Sequence, residues 1–451
     1  METARYIGDI TGNGSASPEP FRVSAPNGLD SDASRILESD PAIEFTEGDN
    51  AQAMIIRDAT KFLSDEDFSR FPDLTYIIRN GDGHDNIDKF EASRRGVATV
   101  NTPGISSKDV ALHTLAFILA WKQHIMRGTH EIKRGRWPKR ELAPRDPKTL
   151  GIIGNGKIGS ETASLAGKLF ENVITYDADP ARRNIHTIEE LLEKSDVVCI
   201  HASGKETVIT KERLDLMRSG TLLVNTSRGK LVDKKALAER LRKNDGFAYA
   251  ADVFWDEPPP KDDQVFNDIK SNPNFMSTPH IAASRIGNQQ NLGKAAVANV
   301  LAFAKYGTVN PDNIQGHTLP KISMSPKRDA GGRILLTHES VPGKLNAIFE
   351  ESAKSALNVQ ATRNGQGEVF NNAFGARHQL AMTILDLESD VSAEEAFEVM
   401  RRIQNSLKSY RARLLWYECA KPNGVTASSA SESPVQQAME KGQAHRHQIQ
   451  A

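Results

Sequence analysis

The pattern of apolar and polar residues predicts an α/β unit in the first part of the chain. Short apolar runs rich in β-branched residues alternate there with segments in which apolar residues recur at helical spacing. Residues 1–20 are rich in Gly, Ser and Pro, so we expect a flexible leader before this unit. The predicted strands are Phe21–Ala25, Ala42–Phe45, Ala53–Arg57, Leu74–Arg79 and Val97–Asn101.

A second series of strand and helix patterns follows a long helix candidate, Ser107–Arg127. Its six strand patterns predict a doubly wound parallel sheet of the Rossmann type over residues 107–285. The helix candidate Asn291–Lys305 would then return the chain to the first unit. We therefore predict a discontinuous, flavodoxin-like domain over 21–106 and 286–318. The six strands are Leu150–Ile153, Val173–Tyr176, Val197–His201, Thr221–Asn225, Ala248–Val253 and Phe275–Ser277.

The last patterned part of the chain predicts a small α+β domain over residues 330–418 with the element order βαββαβ. Ser392 and Glu395 have the spacing of a capping box that opens its second helix. Residues 419–451 are rich in Ser, Ala, Gln and Glu, so we expect a disordered tail. The predicted elements are strands Arg333–His338, Val359–Thr362, Ala381–Leu387 and Arg411–Trp416, with the first helix over Pro342–Leu357.

The composition excludes several classes of function. Of 451 residues, 57 are basic and 58 acidic, so no basic excess indicates a nucleic acid or an anionic membrane as partner. The two cysteines, Cys199 and Cys419, have neither metal-binding nor disulfide spacing, which predicts no metal site and fits a reducing cytoplasm. The longest apolar run, Val110–Trp121, is too short to span a bilayer.

One short segment carries the strongest chemical signal. An apolar strand leads into Gly154-x-Gly156-x-x-Gly159, which we call the glycine fingerprint, and then into a helix pattern. Gly154 permits the tight turn, Gly156 lets the backbone approach a pyrophosphate, and Gly159 lets helix and strand pack closely. This arrangement predicts a nicotinamide dinucleotide site, with a structural glycine turn as the alternative.

A carboxylate after the next strand favours one of the two dinucleotides. Asp177 stands where it can accept hydrogen bonds from the ribose hydroxyls. Because it would repel the 2′-phosphate of NADP, NAD is the predicted cofactor. Arg182 and Arg183 follow closely and could reach such a phosphate, which leaves NADP as the alternative.

Polar residues at the ends of later strands predict the chemistry. Hydride removal from an alcohol carbon requires a base for the hydroxyl proton, and His280 after the last strand is the candidate. Glu257 could orient its ring and raise its pKa, and Arg228 could bind a substrate carboxylate. The same residue types also cap helices and form surface ion pairs, which is the alternative interpretation.

Several motifs in this order resemble the NAD-dependent D-isomer-specific 2-hydroxyacid dehydrogenases over roughly residues 20–315: Arg79–Asp88, Asn101–Gly104, the glycine fingerprint, Asn225–Gly229, Asp252–Pro258 and Thr278–Ala283. The resemblance implies that 107–285 bind NAD, that 21–106 with 286–318 bind substrate, and that Arg228, Glu257 and His280 are catalytic. The implied cofactor-binding residues are Gly154, Gly156, Lys157, Ile158, Gly159, Asp177, His201, Thr226, Ser227, Asp252, Ala282 and Ala283.

The same resemblance bears on the substrate. Ile56–Thr60 resembles the family's phosphate-side segment. Arg57 and Thr60 favour a phosphorylated substrate, whereas Asp58 and Asp82 oppose one. An unphosphorylated acid such as lactate, glycerate or 2-hydroxyglutarate is therefore an alternative, and a non-catalytic NAD-sensing scaffold is an alternative from another class. The implied substrate-binding residues are Arg57, Thr60, Asn80 and Gly81.

The C-terminal unit is similar to an ACT regulatory domain, because Leu336–Gly343 looks like the strand-to-helix ligand loop of that domain. With such a unit at its C-terminus, the chain resembles those family members that oxidise D-3-phosphoglycerate to 3-phosphohydroxypyruvate in the first step of serine synthesis. The resemblance implies that serine binds at His338, Ser340 and Asn358 as an inhibitor. It also implies a homodimer or homotetramer.

Overall fold

A computed structural model of the chain describes residues 5–10, 19–204, 206–307, 315–316, 318, 322, 331–354, 359–371, 375–388, 390–407 and 411–418. The chain forms two compact units. The inserted unit is Pro103–Gln289, and the flanking unit is Met1–Thr102 together with Gln290–Ala451. Asn358 and the predicted tail 419–451 lie outside the described residues.

The first part of the flanking unit contains a parallel sheet in the order β3-β2-β4-β5-β6. Side chains on both faces of this sheet are buried, as expected when helices cover a parallel sheet on both sides. The predicted flavodoxin-like fold is confirmed. Its elements are β1 (Arg5–Ile10), β2 (Phe21–Ser24), α1 (Ser31–Glu38), β3 (Ile43–Phe45), β4 (Ala53–Ile56), α2 (Asp65–Ser69), β5 (Tyr76–Arg79), α3 (Lys89–Arg94) and β6 (Ala98–Asn101).

The inserted unit contains an all-parallel sheet in the order β8-β7-β9-β10-β11-β12, which confirms the predicted Rossmann-type sheet. The strand order reverses between β7 and β9, and ligands of such sheets bind at the carboxyl ends of the strands near that reversal. Its elements are α4 (Ser107–Lys122), α5 (Ile125–Lys133), β7 (Thr149–Ile153), α6 (Lys157–Ala166), β8 (Asn172–Tyr176), α7 (Ile188–Lys194), β9 (Val197–Ile200), α8 (Lys211–Leu216), β10 (Leu222–Asn225), α9 (Lys234–Arg242), β11 (Ala248–Ala251), α10 (Gln264–Ser271) and β12 (Phe275–Ser277).

The single helix predicted over Ser107–Arg127 is wrong, because the structure has two helices there. His124 adopts a left-handed backbone conformation with φ 50°, which ends α4 and starts α5 in a new direction. No Gly or Pro lies at this break, so the pattern of apolar residues predicted one helix that continues through it. None of the helices in the described part of the chain is long and apolar enough to cross a membrane.

After α11 (Ile286–Tyr306) and β13 (Gln315–Gly316), the remaining described elements have the order predicted for the C-terminal domain, βαββαβ. The predicted capping box is confirmed, since the Ser392 N–H donates to Glu395 Oε2 (3.0 Å) and the Glu395 N–H donates to Ser392 Oγ (3.2 Å). These elements are β14 (Gly331–Glu339), α12 (Lys344–Ala353), β15 (Val359–Asn371), β16 (Arg377–Leu387), α13 (Ala393–Leu407) and β17 (Arg411–Glu418).

A fifth strand corrects our prediction that residues 1–20 form a flexible leader. β1 pairs antiparallel with β17, so the antiparallel sheet has the order β1-β17-β14-β16-β15. The register shifts between Tyr6 and Gly8. This irregularity breaks the two-residue alternation by which a strand is recognised, so the sequence pattern did not reveal β1.

The antiparallel sheet is buried on both faces. Ile334 and Leu336 pack toward the helices α12 and α13, whereas Leu335 between them joins the core formed by β2 and α11. Arg413 strengthens the contact between the antiparallel sheet and β2, since its guanidinium lies 4.1 Å from the ring centroid of Phe21. The C-terminal sheet and the first parallel sheet therefore share one core within the flanking unit.

Candidate active site

The glycine fingerprint lies at the carboxyl end of β7, where the strand order of the inserted unit reverses. Gly154 has φ 91°, and a Cβ at this position would stand 2.5 Å from the backbone nitrogen of Ala202. Nothing lies within 4 Å of a Cβ built on Gly156. Gly154 is thus required by the fold itself, while Gly156 leaves open space above the start of α6.

The residues around this opening fit a dinucleotide. Helix α6 starts at Gly156 without a side-chain cap, so the N–H groups of its first turn are available to a pyrophosphate. Asp177 follows β8, and its carboxylate accepts hydrogen bonds from the N–H groups of Asn155 (2.7 Å) and Asp179 (2.9 Å). These bonds fix the carboxylate beside the fingerprint, where a ribose would lie. Lys157 Nζ donates to the carbonyl of Pro103 (3.2 Å).

His201, after β9, presents a buried acceptor next to Gly154. Thr162 Oγ1 donates to the carbonyl of Ile158 (3.0 Å), so it accepts its second hydrogen bond, of 3.0 Å, from His201 Nε2. Burial lowers the pKa of His201 to about 4, so the ring is neutral near pH 7. Its buried Nδ1 has no partner among the described residues, and this unpaired acceptor is a further indication of an absent ligand.

The two glycines predict opposite outcomes for the same small substitution. Gly154→Ala is expected to lower the free energy of unfolding by about 1–3 kcal/mol, because it combines a positive φ with a clash against backbone. Gly156→Ala should leave stability unchanged and weaken NAD binding. Thermal unfolding and NADH fluorescence titration of both variants measure the two effects. If Gly156→Ala lowered the free energy of unfolding and Gly154→Ala did not, the assignment of a folding role to Gly154 and a binding role to Gly156 would be wrong.

Arg228 is presented by a loop that buried hydrogen bonds hold in shape. Asn225, at the end of β10, donates to the carbonyl of Arg228 (2.8 Å) and accepts from the N–H of Ser227 (3.0 Å). Ser227 Oγ donates to the carbonyl of Ile200 (2.6 Å), and Thr226 Oγ1 shares a hydrogen bond with Thr114 (3.0 Å). The predicted cofactor residues Thr226 and Ser227 therefore tie this loop to α4 and β9.

His280 and Glu257 come together at the same edge of the sheet. His280 Nδ1 lies 2.6 Å from Glu257 Oε2, and the Phe254 N–H holds the other oxygen at 2.9 Å. The hydrogen bond that His280 donates to Glu257 raises the pKa of His280, although burial opposes it. Burial would raise the pKa of Glu257, but its bonds to His280 and Phe254 and the charge of Arg228 hold that pKa below its usual value.

The His280 ring is open to a ligand, because 47% of the side chain is exposed. Its backbone has φ 53°, a left-handed conformation that is unfavourable for a residue with a Cβ. Since Nδ1 is bonded to the carboxylate, the neutral ring keeps a lone pair on Nε2. The arrangement can therefore accept a proton at Nε2 and stabilise the resulting imidazolium.

Asp252 positions the loop that carries His280. Its side chain is 1% exposed, and its carboxylate accepts from Thr278 Oγ1 (2.5 Å) and from the N–H groups of Ile281 and Ala282 (2.9 Å each). We predicted Asp252 and Ala282 as cofactor-binding residues, and in this structure they are bonded to each other. The carbonyl of the neighbouring Ala283 accepts from Asn288 and Gln289.

His113, which the sequence pattern did not identify as a site residue, belongs to the same network. Thr278 donates its hydroxyl proton to Asp252, so it accepts from His113 Nε2, at 2.8 Å. His113 lies on α4 within the apolar run Val110–Trp121, which was considered only as a possible membrane span. A lone histidine on the buried side of a helix was the signal that could have identified it.

The predicted substrate-binding residues lie in the flanking unit. Asn27 Oδ1 accepts from the Arg57 N–H (2.9 Å) and from Thr60 Oγ1 (2.8 Å), which holds the Arg57–Thr60 loop in shape. Asn86, also missed from sequence, donates to both carbonyls of this loop. Asp58 is exposed and Asp82 is half-buried.

The backbone N–H groups of Asn80 and Gly81 are already used within the flanking unit. The Asn80 N–H donates to the carbonyl of Ile56 (2.9 Å), and the Gly81 N–H donates to Thr102 Oγ1 (2.8 Å). These two N–H groups are therefore not free to bind a substrate in this structure. The buried Oδ1 of Asn80 has no partner among the described residues.

Two of the predicted regulatory residues, His338 and Ser340, lie in the described part of the chain, and both are hydrogen-bonded there. His338 is 2% exposed, and its Nδ1 and Nε2 bond to the carbonyl of Glu339 (2.9 Å) and to Thr383 Oγ1 (3.0 Å). Burial lowers the pKa of His338. Ser340 donates its N–H to the carbonyl of Gln379 (3.0 Å). The contact between His338 and an effector stays a prediction, and it would require one of these two hydrogen bonds to be replaced.

Comparisons with known proteins agree with this site. A family model described as D-isomer specific 2-hydroxyacid dehydrogenase, NAD binding domain, matches residues 115–282. The chain is 32% identical over 300 residues to the hydroxypyruvate reductase of Thermotoga maritima, which covers 62% of this chain and 97% of that protein. It is 33% identical over 341 residues to the D-3-phosphoglycerate dehydrogenase of Bacillus subtilis. That match covers 73% of this chain and 62% of the relative, so the chain spans less than two thirds of its length.

A solved structure supports the same conclusion. The D-lactate dehydrogenase of Aquifex aeolicus, crystallised with NAD and lactic acid, is 25% identical and has a TM-score of 0.56. The match covers 65% of this chain and 95% of that one. The predicted family, the enzyme class and the cofactor NAD are therefore confirmed. The chain belongs to the D-isomer-specific 2-hydroxyacid dehydrogenases and is an NAD-dependent enzyme.

Proposed function

We propose that this enzyme oxidises D-3-phosphoglycerate to 3-phosphohydroxypyruvate and that His280 is its catalytic base. The observation that carries the proposal is the 2.6 Å contact between His280 Nδ1 and Glu257, at the carboxyl edge of the dinucleotide sheet. Arg228 is near enough to shift the pKa values of both residues electrostatically.

The chain's own residues carry out the proton chemistry. NAD, when bound along the glycine fingerprint, supplies the acceptor for the hydride that leaves the substrate carbon. His280 accepts the hydroxyl proton at Nε2, while Glu257 holds the ring at Nδ1 and stabilises the imidazolium. The guanidinium of Arg228 binds the substrate carboxylate and stabilises negative charge on the adjacent oxygen. Asp252, through Thr278 and the Ile281 N–H, keeps His280 in its strained position.

The phosphorylated substrate is supported by the loop of Arg57. Asn27 and Asn86 hold this loop by backbone and side-chain bonds that do not use the Arg57 guanidinium. Asp58, which we considered an obstacle to a phosphate, is exposed. Named relatives include D-3-phosphoglycerate dehydrogenases of several organisms.

A second candidate is the reduction of hydroxypyruvate or the oxidation of another unphosphorylated D-2-hydroxy acid. It is favoured by the relative from Thermotoga maritima, nearly all of which is matched by this chain. The same His280, Glu257 and Arg228 would serve, with His280 as the proton donor in the reductive direction. The two candidates differ in whether a phosphate is bound and, for hydroxypyruvate, in the direction of hydride transfer.

Substrate preference and one variant distinguish these candidates. We expect NADH formation with 3-phosphoglycerate to exceed that with D-lactate, D-glycerate and D-2-hydroxyglutarate. Arg57→Gln should raise KM for 3-phosphoglycerate about 10- to 100-fold, because one charge-assisted hydrogen bond is lost, and should leave D-glycerate turnover unchanged. Arg35→Gln, an exposed arginine on α1, is the control. Turnover of unphosphorylated acids alone would refute the phosphoglycerate assignment.

Three further expectations stay predictions, two of them from the resemblance and the third, the location, from the cysteine content. Serine inhibition through the C-terminal sheet would need a rearrangement, because both ring nitrogens of His338 are bonded. Assembly as a homodimer or homotetramer and a cytoplasmic location are the other two.

A further inference from the structure

Two adjoining cavities lie at the edge of the inserted unit opposite the glycine fingerprint. The larger, of about 230 Å³, is lined by residues that precede strands, among them Pro147 before β7, Asp196 before β9 and Thr221 before β10. The smaller, of about 40 Å³, is lined by His124 and Arg127. Trp121 and Arg145 line both. The cavities therefore lie at the amino ends of the strands, away from the proposed catalytic residues.

Arg145 is held in place, and none of the ion pairs among the described residues includes it. Its backbone N–H donates to the carbonyl of Lys122 (2.9 Å), and its guanidinium stacks 4.6 Å from the ring centroid of Trp121. Its buried Nε–H and the buried Nε1–H of Trp121 have no acceptor among the residues that the structure describes. Two buried donors thus face these cavities unsatisfied, which indicates that an acceptor is absent.

Nearby carboxylates do not neutralise this positive charge. Asp196 is bound by Arg218 (2.9 Å) and by the N–H groups of Lys148 and Thr149. Asp146 is paired with Lys148 at 2.8 Å. Within the described part of the chain, the smaller cavity is lined by Arg127, Arg145 and His124 and by no acid.

The start of α5 adds backbone donors to the same place. His124 is the N-terminal cap of this nine-residue helix, and its side chain does not cap the first turn. The N–H groups of that turn and the positive end of the helix dipole therefore lie beside Arg127. Burial, with Arg145 and Arg127, lowers the pKa of His124, and burial with Arg127 lowers that of Arg145. A bound anion would relieve this repulsion.

We propose that these cavities bind a small metabolite through its phosphate or carboxylate group. The volume of the smaller cavity suits one such group, held by Arg127, Arg145 and the start of α5, and the larger cavity accommodates the rest of the molecule. The planar guanidinium of Arg145, fixed against Trp121, offers the bidentate geometry that oxyanions favour. This site is separate from the dinucleotide and does not depend on which acid the enzyme oxidises.

Calorimetric titration of the full-length enzyme with inorganic phosphate and, separately, with acetate tests the proposal. Saturating NADH keeps the probes out of the dinucleotide site, and comparison with the Arg127→Gln and Arg145→Gln variants separates binding here from binding at Arg57 or Arg228. We expect binding of at least one probe, and we expect Arg127→Gln and Arg145→Gln each to weaken it about 10- to 100-fold, the effect of one charge-assisted hydrogen bond. The preferred probe identifies whether the metabolite group is a phosphate or a carboxylate.

The control is Arg134→Gln, which removes an exposed arginine just beyond α5 and should leave binding unchanged. Arg127 is also exposed, so its variant keeps the test valid even where Arg145→Gln fails to fold. Unchanged binding in Arg127→Gln, or no binding of either anion to the wild-type enzyme at millimolar concentration, would overturn the proposal.

Discussion

His280→Ala is expected to lower kcat for alcohol oxidation by about 10²- to 10⁴-fold, the usual contribution of a general base. The imidazole Nε2 is the proposed proton acceptor, and alanine provides no group that could replace it. NADH affinity should stay within a factor of about two, because the glycine fingerprint is untouched. Steady-state oxidation rates and NADH fluorescence titration measure the two quantities.

The matched control for this prediction is His130→Ala, which removes an exposed histidine on α5. Removing the side chain at His280 also relieves no backbone strain, since alanine keeps its Cβ in the same left-handed conformation. A stability measurement on both variants separates lost chemistry from lost folding. A His280→Ala enzyme with near-normal turnover would exclude His280 as the base.

Glu257→Gln is expected to shift the pH dependence of oxidation to lower pH and to reduce the plateau rate. Oxidation needs the neutral form of His280, so kcat/KM rises as pH rises through the His280 pKa of the free enzyme. The Glu257 carboxylate raises that pKa, and a neutral amide removes this effect. The rise of kcat/KM with pH should therefore begin at lower pH in the variant. The maximal rate should be lower, because the His280 ring is less well oriented.

The reductive direction gives the opposite dependence, because it requires protonated His280. There the rate falls as pH rises through the same pKa, and the variant should lose activity at lower pH than the wild-type enzyme. Asp256→Asn is the control, since it neutralises an exposed neighbouring carboxylate for which the structure gives no bond to His280. An unshifted profile in Glu257→Gln would show that the 2.6 Å contact does not control the base.

Local patterns were sufficient to predict the two parallel sheets and much of the site. The central strands of these sheets are buried on both faces and form short apolar runs, and polar residues follow directly after these runs. Arg228, Glu257 and His280 could be selected on this basis because the carboxyl ends of parallel strands share one edge. The distances between these three residues could not be predicted, because they depend on loops such as the one that Asn225 holds in shape.

Contacts between residues distant in sequence decided the rest. His113 reaches Thr278 across 165 positions, and β1 pairs with β17 at the other end of the chain. Asp58 reads as an obstacle to a phosphate until its exposure is seen, and the two hydrogen bonds that occupy the ring nitrogens of His338 could not be predicted from sequence. Side-chain direction and pairing of this kind are set by packing, which no local pattern records.

The sequence by itself determined the class of fold, the dinucleotide site and the residue types of the catalytic group, because strand burial, glycine conformation and charge at strand ends are local properties. The tertiary structure decided which of these groups meet, which are already bonded, and that the C-terminal sheet shares a core with β2 and α11. It also decided that Arg145, at the far edge of the sheet, has no counter-ion in the part of the chain that the structure describes. Which groups meet and which are bonded depends on how segments distant in sequence pack against one another, because that packing sets both the burial and the hydrogen-bond partners of each side chain.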